Sequence, residues 1–429
     1  MLKIGNAQGF WGDRPTAPAQ LIEQQPDLDY LTLEYLAEVS LSIMAIQREK
    51  NPSLGYARDL LDVIRSLIPY WKQGAKFKLI TNGGGLHPHA CANAVQKILQ
   101  EAGIDKKIGI VIGDNILDQV KDAPHELVTA NAYLGAAPIV ELLQQEVEIV
   151  ITGRIADPSL VVAPCIAHYG WSMSDWDRLA QATIAGHLVE CGAQVTGGIA
   201  THWLDVLDPA NIGYPVIEMH EDSSFVITKP PNTGGEVTER TVKEQLLYEI
   251  GDPDNMLTPD VTVSFLGIEL KADGPDRMRI TGAKGKAPTD SYKASCTYRD
   301  GYRCEGMLAI FGQDAVKKAY RAGEVILQRV WQSGYQLERS HIEVLGNNAT
   351  VLGTTGRPEG LTECVLRIAV ADTRREALEC FAKEIAPLVT SGPQGTTGYI
   401  TGRPKIRPVF GYWSTLMDKD KIKPESEVL

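Results

Sequence analysis

The first 250 residues alternate short apolar runs with stretches of helical apolar spacing, and this alternation limits the fold more than any other feature of the chain. The runs are Tyr30 to Leu33, Phe77 to Ile80, Ile108 to Ile112 and Val147 to Ile151, and they end in polar or glycine-rich turns. Between Pro88 and Ala102, the residues Ala92, Val95, Ile98 and Leu99 share one helical face. Pro88 suits a first helical turn and Gly103 a C-cap. Glu126 to Gln145 reads as a helix in the same way. Strands buried on both faces, alternating with amphipathic helices, imply βαβ units. The expected class is therefore α/β, with a doubly wound, mainly parallel sheet over residues 1–250.

The pattern changes after Gly251. Asp252-Pro253-Asp254 and Thr258-Pro259-Asp260 are turn signals. Strands are predicted over Val261 to Leu270 and Met278 to Thr281, and helices over Asp314 to Ser333 and Arg374 to Ile385. A strand pair should flank Gly346-Asn347-Asn348, with Leu361 to Val370 as its second member. This mixed order predicts a smaller α+β domain over residues 251–429 that completes a cleft with the first. The charged tail from Asp418 is expected to fray. A short echo, Thr354-Thr355-Gly356-Arg357-Pro358 and Thr401-Gly402-Arg403-Pro404, reads as turn chemistry.

At 429 residues, 44% hydrophobic and 22% charged, the chain can bury two cores. Its net charge of -12 repels phosphate backbones, so nucleic acid is not an expected partner. No stretch approaches the roughly 18 apolar residues of a membrane helix, and Met1 to Arg14 lacks a signal-peptide pattern. Seven scattered cysteines without a CxxC pair suit a reducing cytoplasm. The expectation is a cytoplasmic protein with a small anionic substrate and no membrane partner; a homo-oligomer is left open.

Five segments have the composition of a binding cleft. The first, Gly5 to Arg14, holds Asn6 and Gln8 in a glycine turn after a short apolar start. The second, Thr81-Asn82-Gly83-Gly84-Gly85-Leu86-His87-Pro88-His89, leads a strand into a helix N-terminus. Amide hydrogens and helix dipole there would face an anion. His89 is a candidate acid/base group, although a capping or merely exposed histidine explains the pattern better. The third, Ile112 to Asn115, places Asp114 at a strand end, where a ligand contact and an N-cap both remain open.

The fourth segment is Thr152 to Ser159. Arg154 has a fork suited to carboxylate or phosphate, with Asp157 beside it. The fifth, Gly186 to Gly198, spaces His187, Glu190 and Cys191 for one helix face. His187 and Glu190 are general acid/base candidates. Cys191 is a candidate nucleophile beside the imidazole, or a small buried hydrophobe. Gly197, Gly198 and Lys229 are candidate ligand contacts. Walker and GxGxxG loops are missing, as are HExxH and EF-hand patterns, so no metal ligand set is assigned.

Taken together, these segments resemble the acyclic terpene utilisation AtuA family. The match is carried by Gly5-Asn6-Ala7, Thr81 to Gly85, Asn131 to Ala136, Thr152-Gly153-Arg154 with Ala156-Asp157, and Glu190 to Gly198. Ile227-Thr228-Lys229, Thr233-Gly234-Gly235 and Gln245 to Ile250 extend it. The chain stops soon after Trp413, so the extra ferredoxin-like C-terminal domain of longer relatives is not expected. The resemblance implies breakdown of branched acids or terpenoids such as citronellol and geraniol, on pathways that run through coenzyme A thioesters. A lyase or hydratase acting on such a thioester, or on a carboxylate, would need only the parts named above. The competing readings are a non-catalytic subunit that assembles with an acyl-CoA carboxylase, and a nucleotide- or phosphosugar-binding protein.

Overall fold

The computed structural model describes residues 1–351 and 360–429. The turn expected over Thr354 to Pro358 lies outside them. The described residues fall into two compact units: residues 1–297 with 412–429, and residues 298–411. This division is not the one expected near Gly251. Asp252 to Asp254 and Thr258 to Asp260 are turns inside the first unit, and the strands that follow them join its sheets.

The first unit is built on a ten-stranded mixed sheet. Its centre is parallel: β1 (Leu2–Asn6), β2 (Tyr30–Leu33), β3 (Lys78–Thr81), then β6 (Ile149–Thr152) and β4 (Ile108–Ile112). Strand β5 (Leu127–Ala132) lies between β4 and β6 in the chain but off this sheet. Beyond β1 run the antiparallel strands β7 (Val216–Met219), β8 (Phe225–Thr228), Arg277–Thr281 and Glu269–Ala272. The expected mainly parallel sheet is thus a mixed one, because hairpins rather than crossovers extend it. Neighbours along a strand point to opposite faces. Accordingly Leu79 of β3 belongs to one hydrophobic core and Ile80 to another.

Two further expectations are corrected here. The stretch Glu126 to Gln145 is not one helix. Val128 and Thr129 lie in β5, Gly135 interrupts, and Pro138 opens the helix Ala137–Gln144. The tail does not fray either. Glu425–Val428 pairs antiparallel with β4, and Ile422 is buried at 5% exposure. A charged strand is ordinary at a sheet edge, where one side meets water.

The second unit is α+β, as expected, over a narrower range. Part of the long strand Ser291–Phe311 is followed by the helix Ala315–Gln332, strands Arg339–Leu345 and Glu363–Asp372, helix Arg375–Ile385 and strand Thr396–Tyr399. The second, third, first and fourth of these strands lie side by side in that order, all antiparallel. This is the split βαβ arrangement of ferredoxin-like units. Its core gathers Leu308, Ile326, Leu366, Ile368 and Phe381.

The edge strand yields a direct test. Ile422→Ala should cost about 2 kcal/mol or more in urea denaturation. A change within a few tenths would show that the tail does not pack.

Candidate functional site

In parallel sheets, ligand groups gather outside the carboxyl ends of the strands. Here those ends carry Asn6 as the last residue of β1, Glu34 after β2, Asn82 after β3, Asp114 after β4, and Arg154 with Asp157 after β6. The helix Trp176–Val189 brings His187 to them, and Glu190 follows as its last cap. Asn6 ties this helix end to β1, donating from Nδ2 to the Val189 carbonyl at 2.5 Å. Gly9 presses on the same turn: a Cβ there would lie 2.6 Å from the Cys191 carbonyl carbon, so only glycine allows the contact.

Two cavities open around this cluster. The first, about 540 Å³, has an apolar wall that includes Ile250, Met256, Leu257, Pro259, Tyr292 and Leu416. The second, about 550 Å³, is lined by six carboxylates, Asp13, Glu34, Glu38, Asp157, Glu190 and Glu249, and by no lysine or arginine. Glu38, Asp157, Glu190 and Glu249 line both cavities, which we call lobes one and two.

Arg154 is the buried counter-charge of the cluster. It is 1% exposed. Its Nε donates to the Ile155 carbonyl at 2.9 Å and its Nη1 to the Leu36 carbonyl at 2.5 Å. Nη2 is bonded to Asp157 and lies 3.9 Å from Glu34 Oε1, and the Tyr133 ring packs 4.5 Å from the guanidinium carbon. The expected role as a ligand clamp is therefore corrected: Arg154 spends its donors inside the protein and lines neither lobe.

Glu34 was missed in the sequence reading, because a lone glutamate after Thr32-Leu33 carries no motif. It is 4% exposed. Oε1 accepts from Asn82 Nδ2 at 2.5 Å and from the Leu36 amide at 2.8 Å, while Oε2 has no hydrogen-bond donor. Burial, then the nearby Asp157 charge, pushes the Glu34 carboxyl well above the usual range. Burial also raises Asp157, against the pull of Arg154.

His187 and Glu190 form the second acid/base element. Imidazole Nε2 lies 3.0 Å from the Gln245 carbonyl, which can only accept, so Nε2 carries a proton. Nδ1 lies 3.0 Å from Glu190 Oε1, and that contact holds the other, shared proton. Burial pushes Glu190 up to about 7, against the opposing effect of His187. Burial disfavours charge on His187, but the Glu190 carboxylate overrides it and the imidazole is raised. Glu190 Oε2 has no donor.

The other sequence candidates divide. Gly198 and Cys191 line lobe two, and Gly197 lies buried in the same turn. Burial, with the Glu190 charge, pushes the Cys191 thiol up to about 12, so it is not poised as a nucleophile. Gln8 is buried and donates to the Arg14 carbonyl. Asp114 accepts from the Arg154 amide at 2.9 Å and from Asn131 at 2.7 Å, which shapes the turn rather than a ligand site.

The turn Gly83-Gly84-Gly85 is packed rather than open. Gly83 and Gly85 amides donate to Thr81 Oγ1 and the Asn82 carbonyl, and a Cβ on Gly84 would lie 2.6 Å from the Thr152 carbonyl oxygen. The expected anion cradle is thus a packing device. His89 is half-buried and pairs with Glu427 at 2.8 Å, and it lines neither lobe. Lys229 is buried against Asp276 at 3.1 Å and the Thr233 carbonyl at 2.9 Å. Among the described residues, no three His, Cys, Asp or Glu side chains are placed to share a metal ion, and no helix is long and apolar enough to cross a membrane.

Two measurements test this electrostatic account. Arg154→Ala leaves buried carboxylates uncompensated and should destabilise the fold by about 3–5 kcal/mol; wild-type stability by chemical denaturation would refute it. Glu34, Asp157, Glu190 and His187 all have raised pKa values in the folded protein, so the native state binds more protons than the unfolded chain. Their contribution to stability must fall as pH rises, for Glu190 between its ordinary value near ~4.3 and about 7. Glu190→Gln should flatten the thermal-midpoint profile over that interval.

Comparison with known proteins gives one match. A family model described as "Acyclic terpene utilisation family protein AtuA" matches residues 2–428. No curated protein and no solved structure matches the chain.

Proposed function

The chain belongs to the acyclic terpene utilisation AtuA family, and on that premise we propose that it is a catabolic enzyme of branched-acid and acyclic terpenoid breakdown. It acts by lyase- or hydratase-type acid–base chemistry on a coenzyme A thioester or carboxylate intermediate. The observation that carries this reading is Glu190. One oxygen shares a proton with His187, the other is free of donors, and the residue lines both lobes. A carboxyl group held near pH 7 can both take and give a proton at little cost.

The apolar wall of lobe one suits a branched hydrocarbon chain. An acyl group lying there would bring its reacting carbons toward Asp157 and Glu190, which line the same lobe. Lobe two, with six carboxylates, is a poor place for a phosphate or free carboxylate. The anionic part of the substrate therefore belongs on the lobe-one side, where Lys293 lies 4.9 Å from the Tyr133 ring.

In this mechanism Glu190 is the base in its ionised form, with His187 protonated behind it. The Asp157–Glu34 pair supplies the acid. Arg154, buried beside both, keeps those two carboxyls together. An organised polar cluster of this kind is what a purely assembling subunit would lack.

The test uses a panel of branched-chain enoyl- and 3-hydroxyacyl-CoA thioesters with the full chain. Turnover of one member is expected. Glu190→Gln should lower kcat by roughly 10²- to 10⁴-fold, and the wild-type rate should fall as pH drops below about 7, where Glu190 takes up a proton. Full activity in Glu190→Gln would remove Glu190 from the chemistry.

A further inference from the structure

Sharing Glu34, Asp157 and Glu190 with the lobes is a small chamber of about 10 Å³, walled also by Asn6, Thr32 and Val161 among others. We propose that this chamber is a binding site for one water molecule, and that this water is the one added to or released from the substrate. The proposal rests on the acid–base reading above and narrows it to hydration and dehydration.

Size is the first argument. A cavity needs roughly 10–15 Å³ to admit one water, so the chamber takes one and no larger ligand. Hydrogen bonding is the second. Glu34 is 4% exposed, its Oε1 is saturated by Asn82 and the Leu36 amide, and its Oε2 lacks a donor. Glu190 is likewise engaged through Oε1 and lacks a donor at Oε2. Both residues wall the chamber. Unmet buried carboxylate oxygens are costly, and a water has two hydrogens for two such oxygens.

The remaining polar walls are already paired. Asn6 Nδ2 donates to Val189 and Gln8 carbonyls, and Asn6 Oδ1 accepts from Thr32 Oγ1 at 3.1 Å. The water is therefore oriented by Glu34 and Glu190 rather than by its frame. No three His, Cys, Asp or Glu side chains among the described residues are placed to share a metal ion, which favours a neutral occupant over a cation.

The step balances without a further reactant. In hydration of a carbon–carbon double bond conjugated to a thioester, the water oxygen bonds to the β carbon and Glu190 Oε2 accepts the proton it loses. The π electron pair becomes a C–H bond at the α carbon, with a proton from Asp157 of the Glu34–Asp157 pair. One water has been added. The next water to enter bridges Glu190 and Glu34 and returns the proton. Dehydration runs the same steps backwards.

Two experiments decide it. A crystal structure of the full chain at water-resolving resolution should show one ordered water bonded to both Glu34 Oε2 and Glu190 Oε2; a dry chamber or a metal ion there overturns the proposal. Val161→Ile adds a methyl group at the chamber wall. It should lower hydration of a branched enoyl-CoA probe by on the order of tenfold or more while the thermal midpoint holds, and heavy-oxygen water should label the wild-type product hydroxyl. Labelled product with an undiminished Val161→Ile rate overturns the chamber as the source of water, and conversion without label overturns hydration while leaving the acid–base reading intact. Failure of every thioester to turn over counts against that reading itself, and the crystal structure alone then decides the water site. If Val161→Ile does not fold, Val161→Leu serves as the second chamber-filling variant.

Discussion

One buried guanidinium makes the rest of the site possible. Several carboxyl groups converge where parallel strands end, and like charges at that range repel strongly in a poorly solvated interior. Arg154 meets this repulsion from within. Its contacts to Asp157, Glu34, two backbone carbonyls and the face of Tyr133 fix its position before any ligand arrives. Burial raises the proton affinity of Glu34, Asp157 and Glu190 beside it. Charge and proton content are therefore properties of the fold at this spot, set by burial rather than by one reactive side chain.

The division of labour between the two lobes follows from the same balance. A wall of Ile250, Met256, Leu257 and Leu416 offers contact area without polarity in lobe one, while six carboxylates line lobe two. Small packed turns complete the arrangement. Gly9 against the Cys191–Gly192 peptide and Gly84 against Thr152 let backbone segments approach closely enough to bring distant parts of the chain to one place.

Local pattern made much of this legible. Strand runs at residues 30–33 and 108–112, the helix opened by Pro88, and the proximity of His187 to Glu190 all followed from apolar spacing and helical geometry. Less legible was anything decided by burial. Arg154 looked like a clamp because its fork suits anions, and only the fold reveals that its donors are consumed. The glycine triplet at residues 83–85 looked like an anion cradle, since sequence cannot distinguish an amide that faces solvent from one bonded to Thr81. Glu34 left no local trace, because its partners Asn82 and Asp157 are distant in the chain. The sheet-edge strand near the end looked too charged to pack, a reading that holds for interior strands and fails at edges.

The larger unit is discontinuous: the chain leaves it after Thr297 and comes back at Tyr412. Ser414, Thr415 and Leu416, which line lobe one, belong to the returning segment. During synthesis the ribosome must therefore make the whole inserted α+β unit before the hydrocarbon-facing lobe can be finished. A nascent chain halted anywhere inside that insertion carries Glu34, Asp157 and Glu190 but exposes an unfinished apolar wall. It is then a substrate for chaperones and proteases.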